Sequence, residues 1–190
     1  MTGTAGEGAP LLFRDARPDD WPEIAALHAA SWRAAYRGIL SDRYLDGPVD
    51  EDRRAVWRER FSGSVPRRVV VLAFDPGTAQ PVGFACIFAG HDPRWGALID
   101  NLHVRPGATR KRIGRRVLGE AAARLDLAAA AEPIHLTVYE ENRPARHAYE
   151  SWGGRIVEHM RVPEPDGRDH PVVRYAWENP AALLGRLRDA

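Results

Sequence analysis

The sequence predicts a mixed α/β fold: a mostly antiparallel sheet with one parallel pair of strands inside it and helices packed against it. Three observations carry this. The first third has helical periodicity, followed by two β-rich runs joined at Asp75-Pro76-Gly77, the pattern of a hairpin. The second half then reads strand, helix, strand, helix, strand, strand, and a strand–helix–strand crossover lays its two strands parallel. Finally, 190 residues with 44% hydrophobic and 28% charged side chains suffice to bury a core without disulfide or metal staples.

Residues 1–9 are rich in Gly, Ala and Thr and are expected to be frayed, leaving residues 10–190 as one domain. Leu11 to Ala16 reads as a first strand. Asp20-Trp21-Pro22-Glu23 reads as a helix start, with Asp20 capping and Glu23 reaching back in a capping box. Ile24, Leu27, His28 and Ser31 then share a helical face, and the helix runs to about Tyr36 before Gly38. A polar, Arg-rich helix is expected from Val49 to Phe61. Strands are expected over Arg68 to Phe74, Pro81 to Ala89 and Ala97 to Val104, with a loop from His91 to Gly96. A basic stretch, Arg110 to Arg116, leads into an amphipathic helix striped by Ile113, Val117, Leu118, Ala121 and Leu125. Ile134 to Tyr139 is a strand, and Asn142 caps a short helix through Ser151. Strands Arg155 to Val162 and Pro171 to Trp177 flank the turn Pro165-Asp166-Gly167, and Asn179-Pro180 opens a terminal helix.

Composition narrows the function. Lys+Arg is 27 against 26 Asp+Glu, and a net charge of +1 argues against a bulk polyanion binder. No apolar run approaches the roughly 18 residues of a membrane span. The segment Met1 to Gly8 lacks a basic region followed by an apolar one, so no secretory leader is read there. Cys86 is the only cysteine and lies in a strand-like run, which makes it a small buried apolar residue and fits a reducing cytoplasm. No His, Cys or Asp cluster has metal spacing, so no metal is expected.

Two segments carry chemistry. In the first, a strand ending Leu102-His103-Val104 passes through Pro106-Gly107 into the cationic stretch of Arg110, Lys111, Arg112, Arg115 and Arg116. A helix N-terminus offers free N–H groups and a positive dipole end, which suit a phosphate or diphosphate. A solvated basic face and a short nucleic-acid patch are the alternatives, though aromatic residues are not interleaved. In the second segment, Asn142 precedes a helix on which Ala145 and Tyr149 share a face. Taken alone, these read equally as a cap and a core aromatic.

Together the two segments resemble the GNAT superfamily of N-acetyltransferases. The family pattern is a strand ending Leu-x-Val, then (Gln/Arg)-x-x-Gly-x-(Gly/Ala), and about thirty residues later a strand and an Asn-x-x-Ala-x-x-x-Tyr helix. Ala97 to Gly154 follows this order, and the likeness extends from about Leu11 to Trp177, including Ser31-Trp32-Arg33-Ala34-Ala35-Tyr36. The resemblance implies a single GNAT-like domain with a splayed parallel pair of strands, taking acetyl-CoA as co-substrate. It places Leu102 and Val104 on the pantetheine amides, Asn142 on the pantetheine arm, and Thr109, Arg110, Lys111, Arg112, Ile113, Gly114 and Arg115 around the diphosphate. In that register Thr109 stands at the usual Gln/Arg and Arg112 at the first glycine. Leu98 stands where a glutamate is common.

The implied reaction is direct attack of a primary amine, on a small molecule or a protein, on the thioester. A protonated amine of pKa near ~10 must lose a proton first. Asp100, acting through water, is the first candidate base; His103, whose free pKa of ~6.5 suits the task, is the second. They have opposite parity on a regular strand, so both face one cleft only if a bulge intervenes. By resemblance such a bulge aims the Val104 N–H at the thioester oxygen, and Tyr149 protonates the departing thiolate. Trp32 and Tyr36 would wall the amine pocket, with His91-Asp92 as further lining. Ser31 lacks the strand-to-helix elbow of a hydrolase nucleophile. The competing function is a non-catalytic acyl-CoA-binding or sensing module on the same fold, suggested by Arg112 and Leu98. Neither nucleic acid nor membrane is expected as a partner. A homodimer through the Pro171 to Trp177 strand and the terminal helix is open, since an exposed sheet edge invites pairing.

Overall fold

A computed structural model describes residues 10–63, 67–76, 80–108, 112–125 and 131–189. The β-rich runs become seven strands: β1 (Leu12–Asp15), β2 (Arg68–Phe74), β3 (Pro81–Asp92), β4 (Gly96–Val104), β5 (Ile134–Tyr139), β6 (Arg155–Pro163) and β7 (Asp169–Trp177). They form one sheet in the order β1-β2-β3-β4-β5-β7-β6, antiparallel throughout except between β4 and β5. The helices are α1 (Trp21–Ala35), α2 (Asp42–Leu45), α3 (Val49–Ser62), α4 (Ile113–Ala123), α5 (Arg143–Ser151) and α6 (Pro180–Asp189).

Strand alternation divides the core between the two faces of the sheet. Val71 and Ala73 face the apolar stripe of α4 (Ile113, Val117, Leu118, Ala121) and Leu183 and Leu187 of α6. Their neighbours Val70 and Leu72 join Phe84 and Cys86 against Ile24 and Leu27 of α1 and Trp57 of α3. Cys86 is fully buried, and burial pushes its thiol up to about 12, so it packs as an apolar residue. The polar α3 packs chiefly against α1 and buries Val49, Arg53 and Trp57, spaced four residues apart.

Several expectations need correction. Asp20 does not cap α1; its carboxylate turns back to pair with Arg14 and accepts from the Arg17 N–H at 2.6 Å, ordering a short 3₁₀ turn before the helix. The expected loop from His91 to Gly96 narrows to a turn over residues 93–95, because the Asp92 carboxylate accepts from the Arg94 and Trp95 N–H groups and tightens the reversal. The one-turn helix α2 follows Ser41, whose hydroxyl accepts from the Tyr44 N–H. The segment Pro171 to Trp177 is not a sheet edge, because β7 lies between β5 and β6; the edge strand there is β6.

One glycine fixes where the parallel pair begins. Gly96 has φ +68°, and a Cβ there would lie 2.1 Å from the Pro133 carbonyl oxygen. That carbonyl accepts from the Ala97 N–H at 2.9 Å, tying the start of β4 to the start of β5.

Candidate active site

The β4/β5 pair is brief. Only Ala97↔Ile134 and Leu98↔His135 are in register; beyond them β5 continues alongside β7 while β4 diverges. The gap is a cleft of about 330 Å³ between Leu102, His103 and Val104 on one side and Leu136, Thr137 and Val138 on the other. Backbone polarity follows from the ladder. The Arg105 N–H donates to the Val82 carbonyl on β3, and antiparallel alternation therefore turns the Val104 and Leu102 N–H groups the other way, into the gap. No residue of β5 is in register with them. Two inward donors on a rigid strand suit a ligand that carries amides and a carbonyl.

The expected bulge exists, and Asp100 is the extra residue: Ile99 pairs with Ile87 and Asn101 with Cys86. It inverts the side-chain alternation. Ile99 belongs to the α4-side core, whereas Asn101 and His103 point to the α1/α3 side. Asp100 and His103 accordingly line the same cleft. Arg60 of α3 reaches this point, with Nη1 2.7 Å from both the Asp100 carboxylate and the Asn101 side-chain oxygen. Nothing in the sequence marks Arg60, which is 40 positions away on a helix of many arginines.

His103 departs from the expected free imidazole. Burial, with Arg53 adding repulsion, pushes it down to about 3, so the ring is neutral through the physiological range. Its Nδ1 lies 3.0 Å from the Ser31 hydroxyl of α1, and its ring stacks on His28 with centroids 4.4 Å apart. His28 is also held neutral by burial, and its Nδ1 accepts from the Trp57 indole N–H at 2.9 Å. Ser31 also lines the cleft. The helical face containing it was legible, its partner 72 residues on was not.

Helix α5 forms another wall. The Asn142 side-chain oxygen caps it by accepting from the Ala145 N–H at 3.3 Å, and Asn142, Ala145 and Tyr149 line the cleft. Burial pushes the Tyr149 phenol up to about 12, keeping it protonated. Tyr36, at the C-cap of α1, lines the cleft. Trp32 does not: it is 8% exposed in a core cluster with Leu40, Tyr44 and Leu45, under the Arg53 guanidinium at 4.1 Å. The i, i+4 spacing of Trp32 and Tyr36 puts them on one stripe, and the arrival of α3 buries one of them. His91 and Asp92 lie at the far end of β3 and do not line the cleft.

A second crevice of about 350 Å³ shares Val104, Gly114, Ala148 and Trp152 with the cleft, and adds Arg112, Arg115 and Ser151. The shared residues join the two into one channel, lined by Ala145, Ala148, Tyr149 and Trp152 at one end and cationic at the α4 N-terminus. That suits a long ligand with an amide-bearing arm and an anionic tail. Gly83 of β3 lets α4 approach: a Cβ there would lie 2.9 Å from Ile113 Cγ2. Arg112 takes the left-handed conformation at φ +54°, which glycine ordinarily supplies, so the register placing it at the family's first glycine fits the backbone. Ile113 itself is fully buried beneath the channel, and the Arg115 Nε donates to the Leu187 carbonyl of α6. Thr109, Arg110 and Lys111 lie outside the described residues.

The model of the acetyltransferase (GNAT) family matches residues 21–154, about seven-tenths of the chain and all of this cleft. The chain belongs to the GNAT acetyltransferase family. A protein of Mycobacterium tuberculosis named a probable N-acetyltransferase is 32% identical to this GNAT chain over 142 residues, 74% of this chain and 77% of that one. Among solved structures, PaiA N-acetyltransferase of Thermoplasma acidophilum in complex with coenzyme A has a TM-score of 0.67 at 19% identity, covering 89% of this chain and 100% of that one. YncA of Salmonella typhimurium with its cofactor acetyl-CoA has a TM-score of 0.61 at 16% identity, covering 89% and 94%. At such identities the two structures establish the GNAT fold, with its mixed sheet and parallel β4/β5 pair. Among the described residues no group of three His, Cys, Asp or Glu could hold a metal ion, and no helix is long and apolar enough to cross a membrane.

Proposed function

We propose that this GNAT enzyme transfers the acetyl group of acetyl-CoA to a primary amine of a small molecule or protein by direct attack. The observation that carries the reading is the splay of β4 from β5, which turns the Val104 and Leu102 N–H groups into a channel ending in arginines. Acetyl-CoA, when bound, supplies an activated acetyl thioester. Leu102 and Val104 hold the pantetheine amides like an added strand, Asn142 holds the arm from the other side, and Arg112 with the start of α4 holds the diphosphate.

The chain's own groups then manage charge and protons. The Val104 N–H faces the oxygen on which negative charge grows as nitrogen bonds to the acyl carbon. Asp100, at the bulge, takes up the amine proton through water, with Arg60 fixing its carboxylate. His103 accepts a hydrogen bond from the acceptor nitrogen and does not titrate at working pH. Tyr149 donates to the sulfur as the C–S bond breaks; with its own proton held more tightly than a thiol's (~8.5), it stabilises the thiolate and the final proton comes from solvent. Tyr36 walls the acceptor end.

The test is free-thiol release across a panel of small amines and peptides, paired with calorimetric binding of acetyl-CoA. Binding with release on at least one amine class supports transfer. Binding without release on any of them favours the sensing module, and absence of binding removes both readings.

A further inference from the structure

Ser31 and His103 make a buried side-chain contact between α1 and β4: Ser31 Oγ lies 3.0 Å from His103 Nδ1, and both residues line the cleft. A buried hydroxyl or imidazole nitrogen is costly to leave without a partner, and the contact gives one to Ser31 Oγ and to His103 Nδ1. The contact has two proton arrangements. With the ring proton on Nδ1, the imidazole donates to Ser31 Oγ and Nε2 carries a lone pair. With the proton on Nε2, Ser31 donates and Nε2 becomes a donor.

The surroundings choose between them. One face of the ring packs on neutral His28, whose Nδ1 is committed to the Trp57 N–H, and Phe84 lies 5.4 Å away, so neither offers the ring a carboxylate or a competing partner. With Nδ1 turned to Ser31, the opposite edge of the ring closes on the cleft. The cleft already holds donors in the Leu102 and Val104 N–H groups and the Tyr149 phenol. An attacking amine brings N–H groups and needs acceptors, and Asp100, which takes the amine proton through water, leaves the nitrogen itself without an acceptor in direct contact. The arrangement that supplies the missing acceptor is the one with Nδ1–H directed at Ser31.

We propose that Ser31 is a positioning residue that holds His103 in the Nδ1–H tautomer, so that Nε2 presents its lone pair to the acceptor amine. This rests on the amine-acetylating reading of the cleft. Ser31 touches no reacting atom; it acts through His103.

The experiment combines histidine ¹⁵N NMR of the full chain with steady-state kinetics of Ser31→Ala and Ser31→Thr. In the unaltered protein the His103 pattern is expected to be that of a neutral Nδ1–H ring, and in Ser31→Ala it shifts toward the Nε2–H form. Turnover of Ser31→Ala falls about 10- to 100-fold with the KM for acetyl-CoA unchanged, and Ser31→Thr, which keeps the hydroxyl, retains the tautomer and most of the turnover. An Nε2–H ring in the unaltered protein overturns the proposal, as does an unchanged tautomer in Ser31→Ala. If the unaltered chain acetylates no amine, the acetyl-transfer reading fails, and the NMR comparison alone still decides the tautomer.

Discussion

The Arg60 guanidinium lies 2.7 Å from the Asp100 carboxylate, joining α3 to the one bulged residue of β4. Both side chains are about three-quarters buried. The pair therefore fixes the residue whose insertion brings Asp100 and His103 to one cleft. Arg60→Leu leaves that carboxylate without its cation and removes the bond to Asn101. The expected loss is about 1–3 kcal/mol of stability, together with a lower turnover. Urea denaturation and thiol release check both; a variant as stable and active as the parent contradicts the role.

Tyr149→Phe keeps the ring contacts with Trp152 and Tyr175, at 5.7 and 5.9 Å between centroids, so the fold is retained. Only the hydrogen-bond donor is lost. Turnover should fall by about one to four decades, with little change in acetyl-CoA affinity. Unchanged turnover removes Tyr149 from its role at the leaving sulfur.

Arg112 stands in a left-handed conformation at the mouth of the channel. Replacing it by glycine relieves about 1–2 kcal/mol of backbone strain, partly offset by about 0.5–1 kcal/mol of added unfolded-chain entropy. It also removes a guanidinium from the diphosphate end. Arg112→Gly should thus melt slightly higher yet bind coenzyme A several-fold more weakly, as read by thermal melts and calorimetry. Tighter binding would mean that the side chain obstructs the channel.

Three histidines are buried and held neutral: His103 at about 3, His135 at about 4, and His28 well below its ordinary value, burial being the largest cause in each. Their folded values lie below the unfolded ~6.5, so the unfolded chain binds the extra protons as pH falls. Stability is therefore full above about pH 7 and declines as pH drops from ~6.5 toward 4, by up to about 1.4 kcal/mol per unit for each histidine. Urea midpoints at pH 7.5 and 5.5 test this; equal midpoints contradict it.

The strands from Arg68 onward were legible because alternation and turn residues mark them, and β2 and β5 start and stop where the pattern does. Asn142 and Tyr149 were legible because capping and i, i+4 spacing are local. Arg60 on Asp100 and Ser31 on His103 were not, since those partners meet only when α1 and α3 dock on the α1/α3 face of β4. Trp32 misled for a similar reason: an aromatic stripe on α1 does not say which member α3 will cover. The Asp20 cap failed because Arg14, six residues earlier, competes for the same carboxylate.

The most direct test of the cleft is the backbone amide spectrum of the protein titrated with acetyl-CoA. If the acyl arm lies in the splay, the largest shifts fall on the Leu102 and Val104 amides, with Asn142 and Gly114 next. Shifts confined to the arginine-lined groove between α4 and α6 (Arg116, Arg188), with Leu102 and Val104 unmoved, would contradict the account.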